Sequence, residues 1–129
     1  MRAILALLAI ASFALADALD NGMAAMYDGK WQEAVQHLTR AIEQNPNSAD
    51  AYLLRGNSYK ELGDRSAAIS DFTQAIKFDP HDAESYYNRG VLYGELGDYL
   101  KATQDARKAC ELGSCGLMQE LRDDDKVQD

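Results

Sequence analysis

Small and apolar residues recur along most of the chain at three- and four-residue steps, the spacing that places side chains on one face of an α-helix. Tyr52, Gly56 and Tyr59 share one such face, and Ala68, Phe72 and Ala75 share a second. Two amphipathic helices are predicted, separated by Gly63 and Asp64. A glycine there can take the positive φ that ends a helix, and the aspartate can accept a hydrogen bond from an exposed N–H of the next one. The helices therefore fold back as an antiparallel hairpin. Gly56 and Ala68 leave room for close approach, and the aromatic rings fill the space above and below. Asp79 and Pro80 end the second helix, because proline disfavours a helical residue before it and has no N–H to donate. Helix-forming residues dominate elsewhere, prolines occur only at Pro46 and Pro80, and strand signals are missing.

The hairpin is repeated. Ala49, Tyr52, Arg55, Gly56, Tyr59, Glu61, Leu62, Gly63 and Asp64 are followed 34 residues later by Ala83, Tyr86, Arg89, Gly90, Tyr93, Glu95, Leu96, Gly97 and Asp98. The same step backwards finds a weaker copy in Gly22, Ala25, Gly29, Trp31, Ala34, Leu38, Ala41 and Pro46. This pattern resembles the tetratricopeptide repeat, with small residues at its eighth and twentieth positions, aromatic ones at the fourth, eleventh and twenty-fourth, and proline near its end. The second copy matches throughout. The third departs at Ala106, where a bulky residue is usual, and at Ser114, where proline is usual. The first has Ala18 and Ala25 at aromatic positions, as suits a terminal unit with no neighbour outside it. The resemblance implies an all-α fold, a short α-solenoid of three helix-turn-helix repeats over about 15–48, 49–82 and 83–114.

Beyond the repeats, Leu117, Met118 and Leu121 form one helical stripe, read as a capping helix over 115–122 that covers the last apolar face. Residues 123–129 are polar and acidic and are expected to form a disordered, solvated tail. At the other end, Arg2 is followed by an uncharged run from Ala3 to Leu15, and Ala14, Leu15 and Ala16 have the small-x-small form of a signal-peptidase site. A signal peptide over 1–16 is expected, with no membrane insertion after its removal. The run falls short of the roughly 20 apolar residues needed to span a bilayer. Periplasm or secretion follows as the expected location, and the repeat style looks bacterial.

Charge and cysteines narrow the chemistry. With 21 acidic and 13 basic residues the net charge is −8, which repels nucleic acid and anionic lipid. Cys110 and Cys115 are the only two cysteines, and an even number in an oxidising compartment favours a disulfide, with Gly113 able to fold the chain back between them. A metal would need further ligands, and His37 and His81 lie far upstream. No phosphate loop or nucleophile motif is present, so no catalytic residue and no cofactor is expected. Asp64, Asp71, Asp82, Asp98 and Asp105 recur with the repeat and read as caps and solvated faces.

The resemblance also implies a function. First helices of stacked repeats line a concave surface suited to an extended peptide or a partner's helix. Its lining would include Leu19, Met23, Met26 and Tyr27, then Asp50, Leu53, Asn57 and Lys60, then Glu84, Tyr87, Asn88 and Val91. Met23, Tyr27, Leu53, Asn57, Lys60, Tyr87, Asn88 and Val91 are the candidate groove residues, several more apolar than a solvated face requires; packing between neighbouring repeats is the alternative for Met23, Leu53 and Tyr87. One subgroup of the family clamps a C-terminal carboxylate with lysines, arginine and asparagines. Here Leu19, Met23, Leu54 and Glu84 occupy four of those positions, so that clamp is absent. An exported adaptor or assembly factor that binds another protein or peptide is the leading expectation. A small structural subunit of an envelope complex, self-associating as a homodimer, is the alternative.

Overall fold

The computed structural model describes residues 17–128, so the signal peptide expected over 1–16 lies outside the described residues. Seven helices and no strand occur among them. They are α1 over 17–27, α2 Trp31–Gln44, α3 Ala49–Glu61, α4 Arg65–Phe78, α5 Ala83–Glu95, α6 Tyr99–Glu111 and α7 Gly116–Asp123. They stack as three antiparallel hairpins, α1/α2, α3/α4 and α5/α6, with α7 against α5 and α6. The architecture is the all-α solenoid with a capping helix that the repeat implied.

Each hairpin is made locally. Gly29, Gly63 and Gly97 have φ of 70°, 79° and 80°, and at the second of these turns Asp64 N–H reaches back to the Tyr59 carbonyl at 3.0 Å. The carboxylates of Asp64, Asp82 and Asp98 cap the helices that follow, accepting from the N–H groups of Ala67, Ser85 and Lys101 at 3.1, 3.1 and 3.2 Å. Such caps are worth about 1 kcal/mol each.

Small-against-large packing then joins the helices of each pair. A Cβ added at Gly22 would stand 2.7 Å from Leu38 Cγ, and one at Gly56 would stand 2.7 Å from the fully buried Phe72 ring. In the third hairpin the bulky partner is missing because Ala106 occupies its position. Leu117 of α7 fills the space instead, its Cδ2 standing 2.7 Å from where a Gly90 Cβ would be. The capping helix thus supplies a side chain that the last repeat lacks, and Ala102, Ala106, Leu117, Met118 and Leu121 form one buried cluster.

Adjacent hairpins are tied by a polar ladder that the amphipathic pattern did not foretell. Arg55 of α3 donates twice to Asp71 of α4, at 2.8 and 2.9 Å, and once to Thr39 of the preceding hairpin at 3.0 Å. Arg89 repeats this with Asp105 at 2.8 Å twice and with Thr73 at 3.1 Å. Each guanidinium lies 5.8–5.9 Å from two tyrosine ring centroids, Tyr52 and Tyr59 or Tyr86 and Tyr93. The hydrogen bonds to Asp71 and Asp105 raise the pKa of each arginine above its ordinary value, against the opposing effect of burial. Asp71 and Asp105 are therefore buried, not the caps or solvated groups expected of them. Asp64, Asp82 and Asp98 do serve as caps.

The C-terminal residues also depart from expectation. Rather than a solvated tail, 124–128 fold back along α6. Asp125 has φ 60°, Lys126 N–H bonds the Leu121 carbonyl at 2.8 Å, and Gln128 N–H bonds Thr103 Oγ1 at 3.0 Å. Val127 packs on the cluster beneath α7, and Lys126 Nζ sits 5.5 Å from the Tyr99 ring centroid. A turn, two hydrogen bonds and one apolar side chain hold this segment to the fold, with Asp124, Asp125 and Gln128 still exposed.

Candidate peptide-binding groove

α1, α3 and α5 form one layer of the solenoid and α2, α4 and α6 the other. Between α1 and α3 the first layer leaves a recess of about 220 Å³ lined by Leu19, Met23, Asp50, Leu53 and Leu54. Apart from Asp50 its walls are apolar. Met23 is 50% exposed there, while Leu62, Leu96 and Leu100 are exposed away from the recess. Leu53 serves two surfaces, since it lines the recess and also packs against the cluster of Ala68, Phe72 and Leu92.

From α3 to α5 the same layer turns polar. Asn57 Nδ2 donates to Glu84 Oε1 at 3.3 Å, and Lys60 Nζ donates to Asn88 Oδ1 at 2.9 Å. Both contacts cross from one repeat to the next. Asn57 Oδ1 is buried and accepts no hydrogen bond among the described residues. The opposite amide orientation would set that oxygen against the Glu84 carboxylate, so the contact with Glu84 decides it.

The structure divides the eight candidate residues. Met23 and Leu53 line the recess, and Asn57, Lys60 and Asn88 form the polar band with Glu84. Asn88 is buried, so its amide acts through Lys60. Tyr87 and Val91 pack against the cluster beneath α7, where a Cβ on Gly116 would stand 3.7 Å from the Tyr87 ring. Tyr27 is 94% exposed at the end of α1, outside the recess. Asp50 and Leu54 complete the recess, and their places in the repeat were the available signal. At the far end, the sulfurs of Cys110 and Cys115 lie against one another across the turn at Gly113, whose φ is 102°. His37 is half-buried on α2 beside Glu33 at 3.7 Å, and His81 is exposed. No group of three or more metal-ligating side chains occurs among the described residues.

A shallow, mostly apolar recess continuous with a polar band can hold a side chain and a polypeptide backbone; this is the geometry of a protein-interaction solenoid. Comparison with known proteins gives the family. Profiles described as TPR repeat match residues 22–63 and 56–97, and one described as Tetratricopeptide repeat matches 83–112. The chain belongs to the tetratricopeptide-repeat family. A FAM10 family protein of Arabidopsis thaliana is 45% identical over 49 residues, 38% of this chain and 11% of its own length. Two further curated relatives, from Arabidopsis thaliana and Cryptococcus neoformans, are likewise matched over only 13% and 8% of their lengths. Among solved structures, the Arabidopsis OM64 TPR domain superposes with a TM-score of 0.83 at 28% identity, covering 88% of this chain and 98% of that one. The second TPR domain of human RPAP3, in complex with HSP70 peptide SGPTIEEVD, gives 0.80 at 25% identity, covering 88% and 96%.

Proposed function

We propose that this chain is an adaptor or assembly factor whose groove receives an extended segment or a helix of a partner protein. The recess between α1 and α3 carries this reading. It is an apolar recess on the first-helix layer, with the half-exposed Met23 in its wall and Asp50 its one polar lining residue. The peptide held by the RPAP3 domain supports a groove-binding role, and the Cryptococcus neoformans relative is a tetratricopeptide repeat and J domain-containing co-chaperone. The acidic peptide itself is a poor model for the ligand here, because Leu19, Met23, Leu54 and Glu84 stand where a clamp for a carboxylate would need cations or amides.

On this reading the protein is a binding module, not an enzyme, and it needs no cofactor. Export to the periplasm or beyond is proposed on the character of residues 1–16, and pairing of Cys110 with Cys115 as a disulfide agrees with an oxidising compartment. The curated relatives are eukaryotic, so the bacterial placement rests on the leader and the repeat style. Self-association is the weaker reading, since α7 covers the apolar face of the last repeat.

The test is site-specific photo-crosslinking in the native host. A photoreactive residue replacing Met23 is expected to trap a discrete partner, whereas the same residue at the exposed Ser70 of α4 is expected to trap none. Equal labelling from both positions, or a partner trapped from Ser70 alone, would move recognition off the groove.

A further inference from the structure

We infer that the groove is selective for a polypeptide segment in which a large apolar side chain is flanked by arginine or lysine; the inference rests on the groove reading above. The apolar requirement comes from Leu19, Met23, Leu53 and Leu54, whose recess has room for a large aliphatic or aromatic side chain. The cationic requirement comes from the rim. Asp50 and Glu84 occupy the same position of successive repeats, in the first turns of α3 and α5, and both are exposed. Neither forms an ion pair among the described residues. Glu84 accepts only the neutral amide of Asn57.

Of the cations nearby, Arg55 and Arg89 are bound within the ladder by Asp71 and Asp105, while Lys60 rests its ammonium on the neutral amide of Asn88 at 2.9 Å and keeps its charge in the polar band. Asp50 is the one charged residue lining the recess itself, so a ligand seated there meets its carboxylate first, on a chain of net charge −8. A basic ligand is attracted both at the rim and at long range, whereas an acidic one meets repulsion with no clamp to offset it. Its apolar side chain fills the recess and fixes the register. Specificity then comes from the sign of the flanking charge, since rim charges discriminate between partners more than they add affinity.

A displayed random-peptide library selected on the full chain tests this, with the enriched peptides then titrated against Met23→Glu and against the double variant Asp50→Lys/Glu84→Lys. All three substituted residues are exposed, and circular dichroism checks that the helices persist. Enriched peptides are expected to pair a large apolar residue with nearby arginine or lysine and to lose binding with Met23→Glu. Charge reversal should weaken them about tenfold or more, and added salt should weaken them on the native chain. Peptides that depend on Met23 but carry acidic or neutral flanks, and ignore the charge reversal, would overturn the selectivity while leaving the groove in place. Failure to recover any Met23-dependent peptide would overturn both.

Discussion

Removing one partner of the Arg55–Asp71 pair should cost far more than removing both. Asp71 has a side chain 5% exposed and Arg55 one 18% exposed, and their two-pronged contact is also the link to Thr39 of the neighbouring hairpin. Asp71→Ala strands a largely buried guanidinium with one hydroxyl acceptor, at a cost of about 3 kcal/mol because some water can still reach it. Arg55→Met strands a carboxylate with less access to water, and about 3–5 kcal/mol is expected. Arg55→Met/Asp71→Leu replaces the pair with apolar side chains beside Tyr52 and Tyr59, and should fall within roughly 1–2 kcal/mol of the native chain. The pair should therefore show a coupling of about 3 kcal/mol or more, well above the few tenths expected of independent sites. Urea unfolding followed by far-UV circular dichroism gives the cycle directly, read from midpoints at constant slope. Costs that simply add would show that the ladder is an incidental contact and that the hairpins are joined by apolar packing alone. Arg89 and Asp105 form the same arrangement one repeat later, so the same cycle there is an internal replicate.

Glycine positions should respond with opposite signs. Gly56→Ala drives a Cβ to 2.7 Å from the Phe72 ring, which has no free volume to retreat into, and should destabilise by about 1–2 kcal/mol net. Gly94→Ala meets nothing nearer than Ala102 Cβ at 3.9 Å and should stabilise by up to about 1 kcal/mol; urea midpoints compare the two. Leu117→Ala removes the side chain that substitutes for bulk at Ala106 and should cost about 2–5 kcal/mol, with hydrogen exchange accelerated in α5 and α6. A cost below about 1 kcal/mol would show α7 to be a bystander. The purified chain, isolated without reductant, should be two hydrogens lighter by mass than after reduction and should lose about 2 kcal/mol when Cys110→Ser/Cys115→Ser opens the small ring.

The solenoid was legible because its information is local and repeated. Helix spacing, glycine at the turns and aspartate at the caps each act within a few residues, and recurrence after 34 residues made chance agreement remote. The ladder was harder to read, since Arg55 meets Asp71 only after the hairpin closes. Yet both members recur at the repeat period, as Arg89 and Asp105, and that recurrence was the signal. An acid repeated with the fold can belong to its interior when an arginine repeats with it. Ala106 was recognised as a departure, but its compensation by Leu117 depends on how α7 docks, which no spacing in the sequence specifies. The same holds for Tyr87 and Val91. Their positions in the repeat point to the groove, but the capping helix that follows the third repeat draws them into its own contacts.

Hydrogen exchange of the full chain, with and without the partner segment identified by crosslinking, is the most direct test that the first-helix layer is the binding surface. Added protection confined to 17–27, 49–61 and 83–95, with α2, α4 and α6 unchanged, is the predicted result. Protection of α4 and α6 with 17–27 unaltered would place the partner on the opposite layer and contradict the account.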